Sequence, residues 1–218
     1  MTPKSFLLTA DVHDYLMDNS EPLDDVQRDL IAETTALGDI ASMQIAPEQG
    51  AFMTMLVQLM GATSAIEIGT FTGYSALAIA RGLPPGGTLL CLDISEEWTE
   101  IARRYWHRAG VEEHIEMRIG PALDTLRALP PTPAYDLAFI DADKPEYPAY
   151  LEELAPRMRT NGVVIVDNVL RDGRVVPGRE TDDGDRQMQA FNRLAASDQR
   201  FDTLLMPLAD GLTFLRKR

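Results

Sequence analysis

Five stretches of the chain carry apolar runs of strand character bounded by turn residues: 65–69 (AIEIG), 88–93 (TLLCLD), 115–120 (IEMRIG), 135–141 (YDLAFID) and 162–168 (GVVIVDN). Between them apolar positions recur at three- and four-residue spacing, most clearly in 73–82 (GYSALAIARG) and 95–109 (SEEWTEIARRYWHRA), and this period predicts helices. Ser95 can cap the second of these, and the glutamates after it suit a helix N-terminus. Strands that alternate with helices pair in parallel through right-handed crossovers. Two further runs, 201–207 (FDTLLMP) and 211–217 (GLTFLRK), meet at the turn LADGL with no helix between them, which predicts an antiparallel hairpin at the end of the sheet. The first 64 residues hold no strand pattern and read as three helices, about 10–19, 22–42 and 48–60. Residues 171–185 (RDGRVVPGRETDDGD) are polar, carry three glycines and read as a surface loop. The expected fold is α/β, a seven-stranded, mostly parallel, Rossmann-like sheet with extra N-terminal helices, in one domain spanning 1–218.

Composition narrows the function classes. A chain of 218 residues, 45% hydrophobic and 25% charged, is ordinary globular material with length for one large core. Its net charge of −14 makes nucleic acid and anionic membrane surfaces poor partners. No run approaches the length of a membrane span. MTPKSFLLTADVHDYL has too short an apolar stretch for a signal peptide and carries acids early, so a soluble cytoplasmic protein is expected. The single cysteine, Cys91, lies inside TLLCLD; it excludes an internal disulfide and reads as a buried, inert thiol.

The first strand runs into EIGTFTGYS (67–75) and then directly into a helix. Glycines at such a turn allow close approach to a ligand, and the helix N-terminus offers free N–H groups. A nicotinamide dinucleotide calls for G-x-G-x-x-G, but Phe71 stands where the middle glycine belongs. Glu67 would repel a phosphate and suits a cationic ligand. Asp93, ending the second strand, is placed to accept hydrogen bonds from ribose hydroxyls. A ribose-bearing cation without phosphate describes S-adenosylmethionine. A generic glycine turn beside a capping acid is the plainer alternative.

The fourth strand ends in FIDADK and the fifth in VDN. Asp141, Asp167 and Asn168 offer only oxygen donors, which suit Mg²⁺ or Ca²⁺ far better than Zn²⁺. A divalent ion there could chelate two adjacent substrate hydroxyls and lower their pKa. Lys144 could accept the proton, or stay charged and stabilise the phenolate. Carboxylates at strand ends also simply cap helices or solvate loops.

EIGTFTGYS, CLDIS, GPAL, FIDADK, VDNVL and LADGLT, in this order, resemble the cation-dependent O-methyltransferases of the caffeoyl-CoA and catechol type, over nearly the whole chain. The resemblance implies the class I methyltransferase fold, S-adenosylmethionine as cofactor, a divalent cation (Mg²⁺ first, Ca²⁺ or Mn²⁺ otherwise), a small phenolic substrate and a homodimer. It implies cofactor contacts at Met43, Ile45, Glu67, Gly69, Thr70, Ser75, Asp93, Ala122, Asp141 and Asp143. Metal ligands are implied at Asp141, Asp167 and Asn168, and the proposed base at Lys144.

One departure bears on the substrate. Members carry an aromatic residue after DN-x-L; here Arg171 follows, and then Asp172, both taken as substrate contacts. A guanidinium can also stack on a ring, but it favours an anionic or more polar acceptor. Arg174 and Arg179 lie in the same loop. The resemblance to plant members implies Lys4 as a contact for coenzyme A, yet the net charge of −14 sits poorly with a coenzyme A thioester. The expected reaction is therefore methyl transfer to a hydroxyl of a catechol-like vicinal diol, on a small phenolic or hydroxycinnamoyl-type acceptor. A nicotinamide-dependent oxidoreductase and a non-catalytic cofactor-binding module are the alternatives.

Overall fold

The computed structural model describes residues 8–218. Three helices open the described chain: α1 (Ala10–Asp18), α2 (Asp25–Thr35) and α3 (Pro47–Met60). Helix α2 is started by a capping box, in which Asp24 accepts from the Gln27 N–H and the Gln27 side chain accepts in return. The single helix expected over 22–42 is therefore two pieces. Helix α2 stops at Thr35, Gly38 turns left-handed at φ 79°, and the chain resumes as a 3-10 segment, Gly38–Met43.

The rest alternates as expected: β1 (Ser64–Ile68), α4 (Tyr74–Gly82), β2 (Thr88–Asp93), α5 (Glu96–Ala109), β3 (Ile115–Ile119), α6 (Ala122–Ala128), β4 (Tyr135–Ile140), α7 (Tyr147–Leu154) and β5 (Met158–Val166). Helix α8 (Asp183–Ser197) follows, then the hairpin of β6 (Phe201–Met206) and β7 (Leu212–Lys217). The sheet order is β3-β2-β1-β4-β5-β7-β6, parallel through β5 and antiparallel at β7. Helix α8 takes the last residues of the expected 171–185 loop. Strand β5 starts four residues before the predicted run, across an irregularity in its pairing with Tyr135 and Leu137.

Apolar side chains cover both sheet faces. Ile66 and Ile68 join Leu126, Tyr147, Leu151 and Phe191 on one side, while Leu77, Cys91, Trp106 and Phe139 pack on the other. Cys91 is fully buried, as the strand pattern implied. Backbone bonds past the strand ends hold three of them level: Gly69 N–H to the Leu92 carbonyl, Asp141 N–H to Ile68, and Asp167 N–H to Ile140. The chain leaves β1 toward β2 and β4 toward β5, in opposite directions. Ligands of open α/β sheets bind outside the carboxyl ends at such a switch point.

Candidate active site

A cleft of about 900 Å³ opens at that edge. Its floor begins with the turn after β1. A Cβ on Gly69 would lie 2.2 Å from the Asp141 carbonyl oxygen, and one on Gly73 would lie 2.5 Å from Ala102 Cβ. These glycines thus let β4 and α5 press against the turn, rather than only admitting a ligand. Phe71 adopts φ 50° and lays its ring edge-on against Trp98, 5.0 Å between centroids. Left-handed backbone costs a non-glycine residue about 1–2 kcal/mol. Asp93 offsets part of that strain: its Oδ2 accepts from the N–H groups of Thr70 and Phe71, both at 2.8 Å, and its Oδ1 from Ser95. Each carboxylate oxygen can accept further bonds, and Asp93 lines the cleft.

Glu67 does not line the cleft. It is fully buried beneath the turn, in register with Cys91 and Phe139 on the neighbouring strands. Its Oε2 accepts from the Thr70 hydroxyl at 2.9 Å, and its Oε1 is a buried acceptor without a partner. Desolvation pushes its carboxyl up to about 7, while the nearby polar groups of Ser75, Thr70 and Cys91 pull the other way. A buried carboxylate with an idle oxygen favours a cation or a donor beside it. Met43, Ile45, Thr70, Ser75, Ala122 and Asp143 all line the cleft. Ala122 begins α6, and Met43 ends the 3-10 segment.

The two strand-end acids do converge. Lys144 Nζ donates to Asp141 Oδ1 at 2.8 Å and to Asn168 Oδ1 at 2.6 Å. Asp167, 2% exposed, accepts the Asn168 N–H on Oδ1 at 2.6 Å. Burial raises the carboxyls of both acids, and the charge of Asp141 helps to push Asp167 up to about 7. Lys144 is the one cation hydrogen-bonded to this group among the described residues, so further positive charge would relieve it. Two carboxylates and an amide oxygen also match the preference of a hard divalent ion. The set contains fewer than three His, Cys, Asp or Glu side chains, and no cluster of three such groups suited to a metal occurs among the described residues. Asn168 holds φ 55°, which turns its side chain position at the strand end away from an extended course.

Residues 17–218 match the O-methyltransferase family. The chain belongs to that family. It is 36% identical over 225 residues to caffeoyl-CoA O-methyltransferase 2 of Zea mays, covering 98% of this chain and 85% of the maize enzyme. It is 32% identical over 183 residues to the catechol O-methyltransferase of Niastella koreensis, covering 82% of this chain and 83% of that enzyme. The crystal structure of a Bacillus cereus O-methyltransferase in complex with SAH superposes with a TM-score of 0.87 at 33% identity, covering 95% of this chain and 97% of the other. The protein is an S-adenosylmethionine-dependent O-methyltransferase.

Two site residues of this methyltransferase escaped the sequence reading. Gln49, 1% exposed, donates from Nε2 to Asp167 Oδ2 at 2.6 Å. Tyr147 places its hydroxyl 2.7 Å from Lys144 Nζ, with that nitrogen 5.1 Å from its ring centroid. Nothing in APEQG marks its glutamine, although helix α3 begins there. The tyrosine three residues beyond Lys144 fits a helix face, but its apolar packing in α7 reads as core.

The two residues expected at the substrate are placed differently from each other. Arg171 lines the cleft, but its guanidinium is held by Asp185 and Asp182, so it is not a free cation awaiting an anionic acceptor. Asp172 does not line the cleft; its N–H donates to Asp210 and its carboxylate pairs with Arg174. Arg179, from the same loop, does not line the cleft either, whereas Arg174 does. Lys4 lies outside the described residues.

Proposed function

We propose that this methyltransferase methylates one hydroxyl of a small catechol-like vicinal diol, with a divalent cation held by Asp141, Asp167 and Asn168. The observation that carries this reading is the meeting of buried Asp167, half-buried Asp141, Asn168 and Lys144 in the cleft that the glycine turn also lines. The names of the maize and Niastella relatives agree with a phenolic acceptor.

S-adenosylmethionine would supply an electrophilic methyl, and a cation held by Asp141, Asp167 and Asn168, Mg²⁺ ahead of Ca²⁺ or Mn²⁺, would lower the pKa of the hydroxyls beside it. The new C–O bond forms as the C–S bond breaks, and sulfur keeps the electron pair. Lys144 manages the hydroxyl proton. Its ammonium already donates to Asp141, Asn168 and the Tyr147 hydroxyl, and it must lose a proton before it can accept one. That arrangement favours a charged Lys144 that steadies the phenolate once the hydroxyl proton has passed to solvent, with uptake of that proton by a neutral Lys144 as the second route. Asp93 would take the ribose, Ala122 would border the adenine, Asp143 would be a further cofactor contact, and Met43 and Ile45 would border the methionine end. Gly69, Thr70 and Ser75 would shape the turn beneath it, and the buried Glu67 would set the negative charge below that turn. Positioning two reactants in one cleft is worth up to about 7–11 kcal/mol in favourable systems.

We further infer a cytoplasmic homodimer. Among the described residues no helix is long and apolar enough to cross a membrane. Leu204 and Met206 are exposed on the edge strand β6. They share a sheet face with Phe214, whose ring meets Phe52 of α3 at 5.7 Å, and Met55 and Leu59 stand exposed along that helix. Such an apolar stripe suits a second copy. Leu59→Glu should then yield monomers by light scattering; an unchanged mass removes this face from any interface.

The reaction is tested by incubating the protein with S-adenosylmethionine, Mg²⁺ and a panel of catechols, flavonoids, hydroxycinnamates and their thioesters. Mass spectrometry should find one added methyl on free vicinal diols. Methylation of none of them overturns the reading.

A further inference from the structure

Arg171 and Arg174 line the cleft together with Asn168, Ala209 and Asp210. Both arginines reach back to one side chain. Arg171 Nε donates to Asp185 Oδ1 at 2.8 Å, and Arg174 Nε donates to the same oxygen at 3.2 Å. The second oxygen of Asp185 accepts from the N–H and hydroxyl of Thr181, at 2.9 and 3.0 Å. Asp185 is fully buried, a rare place for a carboxylate unless it is paired. Desolvation works to raise its carboxyl, yet the Thr181 N–H and the Arg171 guanidinium hold it well below the usual carboxylate range.

Capping explains only part of this arrangement. Asp182, the N-cap of α8, already accepts the Asp185 N–H at 2.8 Å, while the return bond from the Asp182 N–H to Asp185 is long at 3.4 Å. What the buried acid adds is the gathering of two guanidiniums into one place. Arg171 needs such an anchor, because it and Asp172 are consecutive non-glycine residues with left-handed backbone, φ 49° and 52°. Asp182 takes a further contact from Arg171 Nη2 at 3.2 Å, and Asp172 one from Arg174 Nη1 at 2.9 Å. Three carboxylates therefore neutralise two arginines. Arg171 Nη1 and Arg174 Nη2 make no hydrogen bond to another described residue.

We propose that Asp185 is a positioning residue for the methyl acceptor, fixing Arg171 and Arg174 as the wall against which the ring of the acceptor lies. A guanidinium plane stacks on an aromatic face, and its free N–H edge binds ring oxygens. Because its charge is already paired with Asp182, Asp185 and Asp172, this wall selects for a flat diol rather than for an anion. It does here what an aromatic side chain would do, and it rests on the diol reading of the cleft given above.

Asp185→Asn keeps an oxygen for Thr181 and the shape of the cap, but loses the charge that gathers both arginines. The KM for a catechol should rise about tenfold, the loss expected for weakened charge-assisted bonds, while the Kd for S-adenosylmethionine, titrated without acceptor, stays unchanged. In the Arg171→Ala, Arg174→Ala variant the acceptor KM should already be raised, and adding Asp185→Asn should move it no further. An unchanged KM in Asp185→Asn, a parallel loss of cofactor affinity, or a further rise in the arginine-free background overturns the proposal. Should Asp185→Asn fail to fold, the Arg171→Lys, Arg174→Lys variant carries the test, since it leaves the acid in place and removes the planar forks. It should raise the acceptor KM likewise, and an unchanged KM overturns the proposal. A wild-type protein that neither binds nor methylates a vicinal diol removes the function and this inference together. Active wild type with insensitive variants removes the positioning role alone.

Discussion

Gln49 Nε2 donates to Asp167 Oδ2 at 2.6 Å, joining two buried side chains that stand 118 residues apart. Through this bond the N-terminal helix α3 reaches the acid at the end of β5 and closes one side of the cleft. Gln49→Leu should lower stability by about 1–3 kcal/mol, the cost of removing the partner of a buried acceptor. Urea denaturation measures it; an unshifted midpoint shows that the bond contributes nothing.

Gly69 tolerates no side chain. Its φ of 92° and the 2.2 Å approach of the Asp141 carbonyl mean that a methyl group meets backbone, which cannot swing aside. Gly69→Ala should destabilise the fold by more than about 3 kcal/mol, as strain at a special backbone position does when clash is added. A variant with wild-type stability and cofactor affinity contradicts the packing described here.

The parts of this fold that the chain declares openly are those with uniform burial. Strands β2 and β4 and the last residues of β5 are buried on both faces, so their apolar runs are continuous, and the acids that end them stand out as interruptions. Asp93, Asp141 and Asp167 were legible for that reason. Helix α8 was hidden because its first turn, DGDR, reads as loop, and its core contacts, Met188, Phe191 and Ala195, are thinly spaced among polar residues. Asp185 fell inside the same polar stretch, so a buried acid looked like a solvated one. Gln49 left no trace, since its partner is set by tertiary packing and not by spacing along the chain.

Glu67 should leave a signature in the pH dependence of stability. Its carboxyl ionises near 4.5 in the unfolded chain and near 7 when folded, pushed up first by desolvation, with Thr70, Ser75, Cys91 and the charge of Asp141 around it. The folded state therefore holds this proton more tightly. Its contribution favours folding most below pH 4.5, declines as pH rises toward 7 and is constant above. The decline amounts to about 3 kcal/mol. Glu67→Gln cannot ionise, so its stability relative to wild type should improve between pH 5 and pH 8 by about that amount. Denaturation curves with identical pH slopes for the two proteins contradict the assignment.

Lys144→Ala removes the ammonium that bridges Asp141 and Asn168. Turnover of a catechol should fall about 100-fold or more, the usual scale for losing a group that manages a proton in the transition state. The cofactor Kd should change little. Unchanged turnover takes Lys144 out of the reaction.

The most direct measurement is methyl transfer to catechol by protein stripped with a chelator, before and after Mg²⁺ is restored. The oxygen donors of Asp141, Asp167 and Asn168 predict that activity disappears with the metal and returns with it. Full turnover in the continued presence of chelator would contradict the role assigned to those three residues.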